Sequence, residues 1–422
     1  MVTAAPLASN IKHPVNLNSK AFANNKYAYY QWLRENAPVF KGKISIMEVY
    51  ILSRYDDCIG ILKDPRFVRN RTTATGGGRL PFPVPKTVAL LTKSMINEDE
   101  PDHRRLRNLV HQAFTQHSLA KLETRIEQLT HALLDKAELQ SRTERSVNLK
   151  EAYALPIPVT VIQEMVGVSD EDMPRFRDGL SALKDGFSGW TVARTMLWDL
   201  PRLTKFVREL VVRKRANPQN DILTKLIQAE DEGHHLSEDE VVSMVFLIII
   251  AGYETTVQLI TNGVLALLQH PEQLEKLRRQ PKLVASAVEE ILRYIGPIHA
   301  TKPMYALEDV VMHGVTIPKG AAVMPFLGAA NHDPAVFEQP EVFDIERWHR
   351  PSRGKSPNKH LGFGSGIHAC LGAPLARMET KIALTNLIAR NPNLCLAVEP
   401  SAIQIEARPG WHTYRQLPVV LG

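Results

Sequence analysis

The chain has 422 residues, of which 44% are hydrophobic and 23% charged, with a mean hydropathy of −0.17. That is the composition of a folded globular protein, not of a disordered or fibrous one. The formal net charge of +6 has no clustered basic stretch, which argues against a nucleic-acid partner, and three cysteines (Cys58, Cys370, Cys395) are too few and too scattered for a disulfide scaffold or an iron–sulfur cluster.

The first ten residues lack the charged start and apolar core of a secretory signal, so a cytoplasmic protein is expected. No run approaches the roughly 20 apolar residues of a membrane span. The most apolar stretch, Val241 to Ala251, meets Gly252, Tyr253 and Glu254 at once and reads as a buried helix.

In chain order, residues 38–53 read as a hairpin with Lys41-Gly42-Lys43 between its strands, and Asp56 to Lys63 as helical. Residues 70–90 form a loop rich in Gly, Pro and Thr. From His103 to about Lys184 the pattern is mostly helical. Ser237 and Glu240 form a capping box, and the helix they open runs past Gly252 to about Gln269. Further helices start at Pro271 and Lys282, the second stopped by Gly296-Pro297. Short β-prone runs follow between residues 300 and 350, then a loop, then a helix from near Cys370 to Arg390. The expectation is an arm at 1–19 and one large, mainly α domain at 20–422 with a small β part.

Phe363-Gly-Ser-Gly-Ile-His-Ala-Cys-Leu-Gly372 is the most informative stretch. Gly364, Gly366 and Gly372 let the backbone approach a flat object, and Cys370 sits where helix-start amides favour a thiolate. An ordinary buried cysteine would not explain three glycines and a histidine at fixed offsets. A second constellation, Ala251-Gly-Tyr-Glu-Thr-Thr256, sets a polar pair inside an apolar helix. Gly252 removes bulk and opens a groove for a diatomic ligand, and Glu254 with Thr255 suits a proton relay. Equally, the threonines can back-bond to the preceding turn while Glu254 is solvated.

Phe363, Gly364, Gly366, His368, Cys370 and Gly372 match the haem-binding loop of the cytochrome P-450 monooxygenases at every defining position. The resemblance extends from about residue 20 to the C-terminus and is greatest to the soluble bacterial branch. It implies haem b between a long distal helix and the helix after the Cys loop, with Cys370 as the iron ligand. It also implies that Ala251, Gly252, Glu254 and Thr255 belong to the oxygen-activation helix, Thr255 meeting dioxygen and Glu254 supplying protons. His103 and Arg107, four apart on a helix, resemble the haem-propionate clamp together with His368. Glu290, Arg293 and Arg347 resemble the family's buried structural triad. Met304 stands where the family usually carries another propionate arginine, and Lys302 offers only a point charge there.

On this resemblance the chain is an expected monomer. It acts on a small organic substrate with dioxygen, fed by a ferredoxin or flavodoxin with its reductase. Arg353, Lys355, Lys359 and Arg377 flank the Cys loop and form an expected docking face for that acidic partner, scattered solvated charge being the alternative. Phe82, Phe187, Trp411 and the segment Ile298 to Thr301 are expected cavity liners. Cys58 and Cys395 read as packing residues, and His234-His235 as solvated. A peroxide-driven peroxygenase would not need the Glu254–Thr255 relay, and a haem sensor or electron carrier would need an output domain or a second axial ligand.

Overall fold

The computed structural model describes residues 15–78, 93–113, 116–176, 194–231, 233–349 and 359–422, together with residues 87, 90 and 178. Phe82, Phe187, Arg353 and Lys355 lie outside the described residues. The architecture is mainly α with a small β part. The chain divides into two compact units, one formed by Met1–Val68, Glu127–Pro156 and Thr255–Gly422, the other by Arg69–Ile126 and Ile157–Glu254.

The first unit carries a six-stranded sheet. Edge to edge its strands are Val15–Asn16, Val39–Ile44, Met47–Leu52, Ala322–Pro325, Met304–Ala306 and Phe67–Val68. The hairpin turns at Ser45-Ile46, where Ser45 has φ 54°, and not at Lys41-Gly42-Lys43. Gly42 lies inside the strand opposite Val49 because a Cβ there would come within 2.6 Å of Ile51 Cδ1. The glycine thus serves close packing rather than a turn. One side of this sheet buries Phe22, Tyr30, Phe40, Ile51 and Phe326, and another cluster gathers Tyr55, Cys58, Met304, Ile317 and Leu361. A three-stranded sheet, Cys395–Leu396, Pro418–Val420 and Val147–Asn148, has Cys395 on its edge strand. Cys395 is therefore exposed, contrary to its reading as a packing residue, whereas Cys58 is buried as expected.

The longest helix among the described residues, Glu238–Gln269, starts where the capping box predicts. The Ser237 amide donates to Glu240 Oε2 at 2.8 Å, and the Glu240 amide donates to Ser237 Oγ at 3.3 Å. Arg105 also bonds Glu240, so this helix start is fastened to the helix Asp102–Ala113. By length and composition the helix Glu238–Gln269 would cross a membrane, yet over half of its most apolar window (56%) is buried in protein. Val241, Val242, Met244, Ile260 and Ala266 each expose 1% or less of their surface. It is a core helix, and its hydropathy reflects burial on most sides.

Candidate active site

Backbone bonds close the loop before Cys370. Gly364 N–H donates to Leu361 O at 2.9 Å, Ala369 N–H to Gly366 O at 3.1 Å, and Cys370 N–H to Phe363 O at 2.9 Å. Gly366 has φ +71°, and a Cβ there would lie 2.3 Å from the Leu62 carbonyl oxygen, so no other residue fits. The helix Ala373–Arg390 follows, with Gly372 at its N-cap and no side-chain cap. Its first amides are thus not claimed by a capping side chain close behind the sulfur. Cys370 is exposed. A Cβ on Gly364 would meet nothing within 4 Å, and one on Gly372 only Cys370 Sγ at 3.9 Å. A thiol standing on a bare patch fits a flat macrocycle whose iron takes sulfur. Among the described residues no group of three or more His, Cys, Asp or Glu side chains could hold a metal ion.

The helix Glu238–Gln269 opens in its middle. Ile250 is 37% exposed and Ala251 is exposed, whereas Ile249, Tyr253, Thr256 and Val257 are buried. Ala251, Glu254 and Thr255 fall at i, i+3 and i+4 and share one helix face, with Glu254 and Thr255 half-buried. Gly252 has a packing cause: a Cβ there would lie 2.8 Å from Ile162 Cδ1. The groove expected at Gly252 is thus occupied by Ile162 in its Cβ direction.

Thr256 bonds Glu379, a fully buried carboxyl on the helix after the Cys loop. Burial pushes the Glu379 pKa up to about 8, the Thr256 bond only partly opposing it, so the group is protonated at neutral pH. The sequence held a signal for it. Glu379 sits on the apolar stripe of Leu375 and Ile382, where a solvated acid has no place.

His103 and Arg107 lie on Asp102–Ala113 as their spacing predicts. His103 exposes 2% of its surface. Desolvation lowers its pKa, the bond it makes to Glu100 opposes this, and the charge of Arg107 lowers it further. His368 ends the turn Gly366–His368 in the other unit and is half-buried. Met304 is 4% exposed inside the sheet's apolar cluster, and Lys302 is exposed. Ile298 and Trp411 form a bridge, which brings together two of the expected liners.

Adjacent carboxylates on the helix Val284–Ile295 fasten the segments on either side of the Cys loop. Glu290, fully buried, accepts from Arg293 (2.8 and 3.0 Å), Arg347 (3.1 and 3.2 Å), Trp348 Nε1 (3.1 Å) and the Asp344 amide (3.1 Å). Arg293 donates in turn to the carbonyls of Asn331, Pro340 and Val342. Arg347 is the third member that the sequence suggested. Glu290→Ala strands Arg293 in the interior and takes the carboxylate from the partly exposed Arg347, and is expected to cost about 3–5 kcal/mol, read as a drop in the urea midpoint. Glu289, which the sequence reading passed over, accepts both Arg377 Nε (2.6 Å) and Arg377 Nη2 (2.8 Å), and His360 Nε2 (2.9 Å). Arg377 thus pairs within the chain while its side chain stays 42% exposed. Lys359 remains exposed.

The family model for cytochrome P450 matches residues 8–217 and 208–391. The chain belongs to the cytochrome P450 family. This P450 is 36% identical to the polyketide biosynthesis cytochrome P450 PksS of Bacillus subtilis over 97% of this chain and 98% of that protein. The solved PksS structure superposes with a TM-score of 0.87, covering 96% of this chain and 99% of that one. Vitamin D(3) 25-hydroxylase of Pseudonocardia autotrophica is 38% identical over 96% of each chain. The structure of P450BioI in complex with an acyl carrier protein ligated to hexadec-9Z-enoic acid matches at 35% identity and a TM-score of 0.83, covering 95% of this chain and 99% of that one. The fold is the cytochrome P450 fold, and this P450 is a monooxygenase, an oxidoreductase of the kind its relatives' names describe.

Proposed function

We propose that this P450 carries haem b on the Cys370 thiolate and uses dioxygen to hydroxylate, epoxidise or couple a small apolar or amphipathic substrate of secondary metabolism. The exposed Cys370 on its glycine-bared patch carries the reading. Bound haem supplies the activation of dioxygen and the oxidising power. The chain holds the group and manages protons. Cys370 supplies a soft anionic ligand beside the first amides of Ala373–Arg390. Phe363, Gly364, Gly372 and Ala251 would line the ring, and His103, Arg107 and His368 would donate to its propionates. Thr255 and Glu254 share a half-open helix face, where a hydroxyl and a carboxyl can hand a proton inward. Gly252 permits the close packing that sets this face.

The substrate class is supported by relatives named for polyketide biosynthesis and for vitamin D(3) hydroxylation. Ile298, Thr301 and Trp411 are the proposed liners among the described residues. A cytoplasmic monomer, reduced by a ferredoxin or flavodoxin with its reductase, completes the proposal.

The carbon monoxide difference spectrum of the reduced protein tests the ligand, and a strongly red-shifted Soret band is expected. Thr255→Ala tests the oxidant. With the hydroxyl gone, product formed per electron consumed should fall on the order of tenfold, while hydrogen peroxide accumulates. Unchanged coupling together with efficient peroxide-driven turnover would instead establish a peroxygenase.

A further inference from the structure

Arg377 is seven residues beyond the iron-ligand cysteine, and its surroundings are unusual for a cation expected to be solvated. Its guanidinium makes two parallel bonds to the Glu289 carboxylate, at 2.6 and 2.8 Å. Its Cζ lies 4.5 Å over the ring centroid of Phe363. Phe363 in turn holds Cys370, taking its amide at 2.9 Å. The bonds to Glu289 raise the Arg377 pKa most, burial opposes them, and the charges of Glu289 and then Cys370 add to the rise. Burial would raise the Glu289 pKa, but the bonds from Arg377 and His360 overcome it and hold the acid at about 2.

The third partner fixes the charge count. His360 Nδ1 accepts the Gly362 amide at 3.1 Å, so its proton is on Nε2 and is donated to Glu289 at 2.9 Å. The imidazole is therefore a neutral donor. The cluster contains one positive and one negative charge, with the positive end stacked on the phenylalanine that holds the cysteine.

We infer that Glu289 and Arg377 are a charge-balanced pair that sets the electrostatic environment of the Cys370 sulfur, with Arg377 acting across the face of Phe363 and Glu289 holding it there. Both are positioning residues, and the inference rests on Cys370 being the haem ligand. The signs follow from Coulomb's law. Positive charge near the thiolate favours the more electron-rich ferrous state, and negative charge opposes it. Glu289→Gln leaves the guanidinium uncompensated, whereas Arg377→Gln leaves the carboxylate uncompensated. The two variants should shift the haem in opposite directions, and the double variant should return near wild type. A loop loosened by either substitution would shift both single variants the same way.

The experiment is a potentiometric titration of the haem-loaded protein, with the reduced carbon monoxide spectrum recorded for each variant. At fixed potential the ferrous-to-ferric ratio should rise on the order of fivefold in Glu289→Gln and fall by a similar factor in Arg377→Gln, the size being limited because the pair is partly solvated. Arg377→Lys keeps the charge without the fork and should hold the ratio within about twofold of wild type. If Glu289→Gln does not retain haem, the contrast between Arg377→Lys and Arg377→Gln decides. A wild type without the red-shifted Soret band overturns the haem-thiolate reading and this inference with it. A wild type that shows the band, with single variants that shift together or not at all, overturns this inference alone.

Discussion

Cys370→Ser is expected to abolish the red-shifted Soret band of the reduced carbon monoxide complex and to cut turnover on the order of a thousandfold or more, the scale on which loss of a group central to the chemistry is felt. Serine is nearly isosteric, and the loop's closure depends on backbone groups: the bond from the residue-370 amide to Phe363 O survives the change. The side chain at 370 is exposed, so no core packing is lost and the urea midpoint of the haem-free chain should hardly move. What disappears is the soft, anionic sulfur that pushes electron density toward iron, because a serine hydroxyl stays protonated and hard at neutral pH. The band's position and the unfolding midpoint therefore separate ligand loss from misfolding. The other thiols offer no ready substitute. Cys58 is buried and directs its thiol toward Leu52 O at 3.4 Å, with burial pushing its pKa well up, and Cys395 stands on a sheet edge. A variant that kept the thiolate-type band would place the iron on another sulfur and remove the basis of the proposed function.

Features encoded within a few neighbouring residues were legible in the sequence. The Ser237–Glu240 box, the glycines around Cys370 and the His103–Arg107 spacing each depend on local geometry, and each lies where the pattern put it. Relations across the chain were not legible. Gly42 resembles a turn residue until Ile51 is placed beside it, and the packing of Gly252 against Ile162 cannot be seen until the fold brings them together. Glu289 gave no sign of its role, because Arg377 lies 88 residues on and only the fold joins them. Arg353 and Lys355, half of the expected docking face, fall outside the described residues. Glu379 is the case where more could have been read, since an acid on an apolar helical stripe is an energetic anomaly before any partner is known.

The second large effect is on stability in acid. In the first unit His299 and His412 stack at 4.7 Å, Tyr30 Oη meets His299 Nδ1 at 3.0 Å, and Tyr414 Oη meets His412 Nε2 at 3.0 Å. Tyr27 packs on His332 at 4.9 Å, and His332 Nδ1 donates to Gly328 O at 3.0 Å. Burial pushes all three histidines down, His332 to about 3, and the neighbouring cations Lys26 (toward His299 and His412) and Arg293, Arg34 and Arg347 (toward His332) push the same way. Each folded-state pKa lies below the unfolded value, so the stability these rings permit is complete above pH 6.5 and is lost as pH falls through 6.5 toward 3. Glu379 has the opposite sign. Its folded pKa of about 8 exceeds the unfolded 4.5, so it favours folding increasingly as pH falls across the same window. Lys26, held at about 8, is already charged throughout it and adds no slope. Between pH 6.5 and 5, above the range in which most carboxylates titrate, three protons taken up by the unfolded chain's His299, His332 and His412 oppose one held by Glu379, while the lowered His103 and the raised Glu341 act against each other. The net of two protons predicts a loss of about 3 kcal/mol per pH unit. Urea unfolding at half-unit steps measures that slope. His332→Gln keeps a donor for Gly328 O and should flatten it by about 1.4 kcal/mol per unit, whereas Glu379→Gln should steepen it by the same amount. Parallel slopes in all three proteins would mean that these rings and this acid titrate in the folded chain as they do in water, and acid lability would then have to come from groups on the surface.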